Sequence, residues 1–167
     1  MTPFHRILMA TDFSDASAPA WRRAVSIARE NKAALFVAHT YQPPNMVQAG
    51  AVAPGLFDEW NDNMRRDVEK KLVLLVNDAQ KSNVVAQPLV LTGNPDEAIA
   101  TAAEENDVDL IVMGTHGRKG VSRLFLGSVA ARVISTAPCA VLTVRVDEPL
   151  VRFRPALEKE TPALQHA

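Results

Sequence analysis

The chain has 167 residues, of which 47% are hydrophobic and 22% charged, and a formal net charge of −1. This composition is typical of one globular domain, and near-neutral charge gives no global attraction to nucleic acid or to an anionic membrane. The lone cysteine, Cys139, excludes an intramolecular disulfide. The first apolar run is too short for a signal peptide, and none approaches the roughly 18 residues of a membrane span. We therefore expect a cytoplasmic protein with no nucleic acid and no membrane as partner.

The first half of the chain alternates strand and helix patterns. The apolar run Ile7 to Ala10 ends sharply in turn residues and predicts a buried strand. A helix is expected over residues 17–32, with Ser17 as its cap and Pro19 in its first turn. Next come a second strand over 33–41, a loop or lid over 42–56, and a long helix over 57–83. That long helix carries an apolar stripe, predicted to face the core, of Trp60, Met64, Val68, Leu72 and Leu75.

The second half continues the alternation. A third strand is expected over 84–93, and Pro88 within it cannot donate to a ladder, which predicts a place at the sheet edge. Asn94 precedes Pro95 and marks the start of a helix that reaches residue 107. The remaining patterns predict a strand over 108–113, a helix over 128–136, a strand over 139–146 and a tail over 147–167.

This order of elements predicts an α/β fold. Strands that are apolar on both faces and alternate with helices form an open, five-stranded parallel sheet with helices on both faces. Right-handed crossovers and the edge position of Pro88 favour the order 3-2-1-4-5. In that order the chain reverses between strands one and four, and ligands bind beyond the carboxyl ends of the strands at such a point.

The segment after the fourth strand, "MGTHGRKGVSRLFLGS" (113–128), has the residues of an anion site. Gly114 and Gly117 allow backbone amides to approach a phosphate closely. Gly127 and Ser128 open a helix, whose first N–H groups are unpaired and carry a partial positive charge. The segment is neither a Walker A loop nor a dinucleotide-binding G-x-G-x-x-G.

The spacing G-x₂-G-x₉-G-[ST], formed by Gly114, Gly117, Gly127 and Ser128, resembles the signature of the universal stress protein family in its ATP-binding branch. The resemblance covers about residues 4–146 and includes "ILMATDFSDAS", "VAHT", "GNPDEAI", "DLIVMGTHGR" and "APCAVLTVR" in order. It implies a Rossmann-like fold of the adenine nucleotide alpha hydrolase type. Residues 1–146 would form the nucleotide-binding domain and residues 147–167 a C-terminal tail.

The resemblance also implies an ATP site. Asp12 would lie near the adenosine, with Ala10 and Thr11 beside it, and Thr40 would line the adenine pocket. Ala10 stands where the family commonly has proline or valine, and Thr40 where it usually has valine. Mg²⁺ or Mn²⁺ could accompany ATP, held mainly by the phosphates. The residues implied around the sugar and phosphates are Met113, Gly114, His116, Gly117, Gly127, Ser128 and Val129.

Each of these features also has a purely structural interpretation. Glycine-rich loops often serve only as turns, and Asp12 could merely cap the next helix or bind the amides of its own turn. His116 could be a solvated loop residue, and His39 a hydrogen-bonded core histidine. The basic residues of the loop could form only a solvated face: Arg118, Lys119 and Arg123.

Three functional hypotheses follow. The favoured one is a nucleotide-binding stress regulator that does not turn ATP over efficiently, because no general base is evident near the phosphates except His116. The alternatives are a slow ATPase or nucleotidyl transferase, and an interaction protein that binds no nucleotide. The resemblance implies a homodimer formed by pairing of strand 139–146 with its twin, and the sequence indicates no particular protein partner.

Overall fold

The structure, a computed structural model, describes residues 3–43, 54–115 and 126–145. Within these ranges five strands and four helices alternate, with a short 3₁₀ helix, Asp15–Ser17, before the first helix. The strands are β1 Arg6–Ala10, β2 Ala34–Tyr41, β3 Ala86–Thr92, β4 Leu110–Gly114 and β5 Ala140–Val144. The helices are α1 Ala18–Asn31, α2 Pro54–Lys81, α3 Pro95–Glu105 and α4 Ser128–Thr136.

All five strands form one sheet in the order β3-β2-β1-β4-β5, and every pairing is parallel. The order predicted from the sequence is therefore confirmed. β1 lies at the centre, so its last residue, Ala10, is in register with Ala38 of β2 and Met113 of β4. Because the strands are parallel, the carboxyl ends of β1, β2 and β4 meet at one edge of the sheet.

Helices cover both faces of the sheet, as the sequence predicts. Successive strand residues point to opposite faces, so Leu8 and Ile7 belong to two different cores. Ile7, Leu35 and Val112 pack with buried residues of α1 and α2, including Ala24 and Leu72. Leu8, Phe36 and Ile111 pack on the other face with buried residues of α3 and α4, including Ile99 and Val133.

Pro88 lies on the edge strand β3, where its missing N–H is harmless. The carbonyl of Val85 accepts the N–H of Leu35 at 2.8 Å. Backbone groups of alternate residues point to opposite sides of a strand, so the odd-numbered residues of β3 bond to β2. Pro88, paired in register with Val37, therefore has its nitrogen at the free edge, as expected for proline in a sheet.

Two predicted helix caps occupy the expected positions but lack the expected bonds. Ser17 and Asn94 are the N-cap residues of α1 and α3, yet neither side chain bonds to the helix amides. Asn94 Oδ1 instead accepts the side-chain amide of Gln42 at 3.5 Å. The Ser17 hydroxyl is drawn into the turn after β1, because a 3₁₀ helix precedes α1 and places that turn within its reach.

The long helix α2 differs from its prediction at its N-terminal end. It begins at Pro54, so the predicted loop over 42–56 ends earlier, and residues 44–53 of that loop lie outside the described residues. Val68 and Leu72 are buried and Met64 and Leu75 pack against the core, as the stripe predicts. Trp60 is 39% exposed, so its assignment to the core is wrong. Among the described residues of the stripe, packing on the core begins at Met64, because helical spacing marks the apolar face but not how far along the helix the core reaches.

The predicted tail over 147–167 lies outside the described residues. Within the three described ranges, no helix combines the length and the apolar content that crossing a membrane requires.

Candidate functional site

The floor of the candidate site is made of small and buried residues at the sheet centre. Ala10 and Met113 are adjacent in register and both are buried. They share the core of the α3 and α4 face with Ala38, and Val129 of α4 packs against the same cluster. Three predicted site residues, Ala10, Met113 and Val129, are thus brought together on one face of the sheet.

The turn after β1 is fixed by a dense set of hydrogen bonds around Thr11. Its N–H donates to the carbonyl of Ala38 at 2.9 Å, which extends the β1–β2 ladder by one residue. Its buried hydroxyl accepts the N–H of Phe13 at 3.0 Å and lies 3.0 Å from the hydroxyl of Ser17. Ser17 Oγ in turn donates to the carbonyl of Ser14 at 2.8 Å. Thr11 is therefore a structural centre of the turn as well as a predicted site residue.

Asp12 lies half-buried at the start of this turn. Its Oδ1 accepts the N–H of Ser14 at 3.1 Å and the hydroxyl of Ser14 at 2.6 Å. This is an Asx turn, in which a carboxylate replaces a backbone carbonyl as the acceptor. The structural interpretation of Asp12, binding within its own turn, therefore holds, and the turn fixes the direction in which the carboxylate is presented.

His39 has a role that the sequence did not reveal. It is half-buried near the end of β2, and its Nδ1 lies 2.7 Å from the carbonyl oxygen of Thr11. Its ring packs against the ring of Phe13 with centroids 4.3 Å apart. His39 is hydrogen-bonded, as the structural interpretation expects, but its partner is the turn after β1. His39 and Thr11 are far apart in the chain, so the sequence gives no local sign of their hydrogen bond. The one available hint was that His39 lies next to Thr40, a predicted site residue.

Thr40 follows His39 on β2 and carries an unusual hydroxyl. Strand alternation places its side chain on the face of Ala38 and Phe36, where α3 and α4 pack. Its Oγ1 is shielded from solvent, and among the described residues it has no hydrogen-bond partner. Buried polar groups in folded proteins are nearly always bonded, so such an exception indicates a missing partner.

The second half of the site joins the end of β4 to the start of α4. Gly114 ends β4, and the N–H of the next residue, Thr115, donates to the carbonyl of Val144 at 3.0 Å. The carbonyl of Thr115 then accepts the N–H of Gly127 at 2.7 Å. This bond closes the long connection at its base, so that Gly114 and the N-terminus of α4 lie side by side.

Gly127 is the N-cap residue of α4, and its carbonyl accepts the N–H of Ala131 at 2.9 Å. Having no side chain, Gly127 cannot itself cap the first amides of the helix. Ser128 is the first helical residue and is exposed. A helix start of this kind presents N–H donors and a partial positive charge, both of which suit a phosphate.

Residues 3–145 match the universal stress protein family. The chain belongs to this family. A universal stress protein of Methanocaldococcus jannaschii is 34% identical over 142 residues, which are 85% of this chain and 82% of the relative.

Solved structures share the fold of this universal stress protein domain. Hypothetical protein MJ0577 superposes with a TM-score of 0.75 at 22% identity, covering 86% of this chain and 96% of that chain. A universal stress protein in complex with cAMP superposes with a TM-score of 0.64 at 27% identity, covering 87% of this chain and 99% of that chain. The parallel sheet order 3-2-1-4-5 is thus that of the family.

Two predicted site residues of this universal stress protein domain, His116 and Gly117, lie outside the described residues, as do the basic residues Arg118, Lys119 and Arg123. In the described part of the chain, no group of three His, Cys, Asp or Glu side chains is placed to hold a metal. Cys139 packs half-buried against the α3 and α4 core. Burial raises the pKa of its thiol, with a further rise from Asp109, which keeps it protonated at neutral pH.

Proposed function

We propose that this universal stress protein domain binds ATP at the carboxyl ends of β1, β2 and β4. In this proposal it acts in the cytoplasm as a nucleotide-dependent stress regulator and does not turn ATP over efficiently. The observation that carries the proposal is the shielded, unpartnered hydroxyl of Thr40 among the described residues. Leaving such a group unsatisfied costs about 1–3 kcal/mol, and a bound base would supply the missing partner.

The first half of the site combines small side chains with a carboxylate, which suits a base and a sugar. Ala10 at the end of β1 and Ala38, its register partner within β2, have side chains of one carbon only. Asp12 follows Ala10 directly, and a carboxylate is a natural acceptor for ribose hydroxyls. The related structure holds cAMP, which carries the same base and sugar as ATP.

The second half has the properties of a phosphate site. The start of α4, with glycine as its N-cap residue, lies beside the end of β4, held there by the bond from Gly127 N–H to the Thr115 carbonyl. The dipole of α4 favours negative charge at this point. A Mg²⁺ or Mn²⁺ ion would arrive with the nucleotide, held mainly by its phosphates, which supply oxygen ligands of the kind that it prefers.

In this proposal the domain binds ATP but has no residue that catalyses its hydrolysis. Asp12 is the one carboxylate among the described site residues, and its Oδ1 is engaged by Ser14. It follows β1 on the base side, whereas activation of water for hydrolysis requires a base beside the phosphates.

We further propose that β5 pairs with its twin in a homodimer. β5 is the end strand of the sheet beyond β4, and its residues are exposed or half-exposed. An edge of this kind invites pairing with another chain. Analytical ultracentrifugation at micromolar concentration should show a dimer, and a monomer would contradict the assignment.

Calorimetric titration with ATP and Mg²⁺ tests the binding site. Wild type should bind, and Asp12→Ala should bind roughly tenfold more weakly or worse, because a hydrogen bond to a charged acceptor is lost. The matched control is Asp15→Ala, an exposed carboxylate in the following 3₁₀ helix, which should leave the affinity unchanged.

Two results would contradict parts of this proposal. If wild type gives no binding at millimolar ATP, or if all three proteins bind alike, the site is wrong. If chromatography of the reaction shows stoichiometric ADP within minutes, turnover is efficient and the slow ATPase alternative replaces the regulatory function.

A further inference from the structure

We infer that His39 is a positioning residue for the site, holding the turn after β1 in a strained conformation that presents Asp12. The inference rests on the proposed function, because it assigns Asp12 to ligand binding. The side chain of His39 points to the opposite face of β2 from that of Thr40. It would act on the ligand indirectly, through its hydrogen bond to the backbone of Thr11.

The strain lies at Phe13. Its φ is 60°, in the left-handed region that bulky side chains rarely adopt. Such a conformation persists only where the surrounding contacts fix it, and strain of this kind concentrates at ligand sites. Phe13 directly follows Asp12, so its backbone angles determine how the chain leaves the carboxylate.

The contacts that hold Phe13 come from three elements. Its N–H donates to Thr11 Oγ1 at 3.0 Å. The Phe13 ring packs against the ring of His39, with their centroids 4.3 Å apart and their planes tilted by 30°. The ammonium of Lys71 on α2 lies 5.5 Å from the centroid of the Phe13 ring, within the range of a cation–π contact.

His39 also holds the peptide group that precedes Asp12. A carbonyl oxygen only accepts, so in the 2.7 Å contact with Thr11 the Nδ1 of His39 carries the proton. The N–H of Thr11 is meanwhile bonded to Ala38, the neighbour of His39 on β2. β2 therefore fixes both backbone polar groups of Thr11, one through its backbone and one through an imidazole, and so sets the direction of the chain at Asp12.

Loss of this contact should lower the population of the binding-competent turn. Without the Nδ1–H donor the Thr11–Asp12 peptide can rotate, and Phe13 can relax to a negative φ. Apparent affinity falls in proportion to the competent fraction. The loss of one part-buried hydrogen bond corresponds to roughly a tenfold change.

A pair of substitutions separates positioning from packing. His39→Leu keeps apolar bulk but has no donor, whereas His39→Asn is smaller but keeps an N–H donor near the place of Nδ1. We expect ATP affinity to fall about tenfold in His39→Leu and within about threefold of wild type in His39→Asn. A packing role predicts the reverse order. The control is His5→Leu at an exposed histidine before β1, which should bind as wild type does.

Amide hydrogen exchange measured by NMR tests the inference without a ligand. The amides of Phe13 and Ser14 should exchange about tenfold faster in His39→Leu and near the wild-type rate in His39→Asn, with those of Met9 and Val37 unchanged in both. If wild type fails to bind ATP, the proposed function fails and the exchange rates alone decide the role of His39. Unchanged exchange in His39→Leu, or weaker binding in His39→Asn than in His39→Leu, would overturn the inference.

Discussion

The two halves of the proposed site are built from different groups. Around β1 and β2, the described contacts are made by side chains: Asp12 Oδ1 binds Ser14, and His39 binds the Thr11 carbonyl. The Thr40 hydroxyl, also on β2, has no partner among the described residues. Around β4 and α4, the described contacts are made by backbone groups, such as the bond from Gly127 N–H to the Thr115 carbonyl.

This difference indicates what each half recognises. Side-chain oxygens at fixed positions read the hydrogen-bonding pattern of a base or a sugar. Backbone amides and a helix dipole respond to negative charge and are indifferent to the group that carries it. The first half should therefore determine which nucleoside binds, and the second how strongly added phosphates increase affinity.

The largest expected effect is the difference between adenosine and ATP. Each charge-assisted hydrogen bond from an amide to a phosphate oxygen contributes about 1.5–3 kcal/mol. Even one or two such bonds should make ATP bind about a hundredfold more tightly than adenosine. Calorimetry with adenosine, AMP and ATP measures the series on wild type. Equal affinities for adenosine and ATP would show that the β4–α4 half is no phosphate site.

The next effect is that of Thr40→Val, which should move affinity and stability in opposite directions. Removing the unpartnered hydroxyl should raise the free energy of unfolding by about 1 kcal/mol in urea titrations. Losing its bond to the base should weaken adenosine and ATP equally, by roughly fivefold.

The control for Thr40→Val is Thr92→Val, at the exposed end of the neighbouring strand β3. It should change neither quantity. If Thr40→Val destabilises the protein and leaves both affinities unchanged, the hydroxyl has a structural partner and the base half of the site is misassigned.

The sequence predicted the sheet well because its determinants are local. Apolar runs such as Ile7–Ala10 mark strands, and one residue, Pro88, fixed an edge by lacking a donor. Hydrophobic spacing predicted the stripe of α2 but not how far along the helix the core contacts reach. Trp60, one turn before Met64, is therefore exposed.

The site was predicted less completely, because its geometry depends on contacts between distant residues. One reason is that a polar side chain can have several possible hydrogen-bond partners. The Ser17 hydroxyl lies beside the start of a helix, yet it bonds to Ser14 and Thr11. Tertiary pairing is another, since nothing local shows that His39 packs on Phe13 or that Phe13 has a positive φ. The site residues at the ends of β1 and β4 lie where the predicted order places them, and their roles toward a ligand stay predictions.

The smallest change in ATP affinity is expected from Ser128→Ala. This substitution also distinguishes the two halves of the site most clearly. Ser128 is exposed and Gly127 holds the N-cap position, so the free energy of unfolding should not change measurably. Its hydroxyl would add one bond to a phosphate already held by amides, so ATP should bind about two- to threefold more weakly while adenosine is unaffected. Ser135→Ala, at the other end of α4, is the control because its hydroxyl bonds the carbonyl of Ala131. An equal loss for adenosine and ATP would place Ser128 beside the sugar and remove the division between a side-chain half and a backbone half.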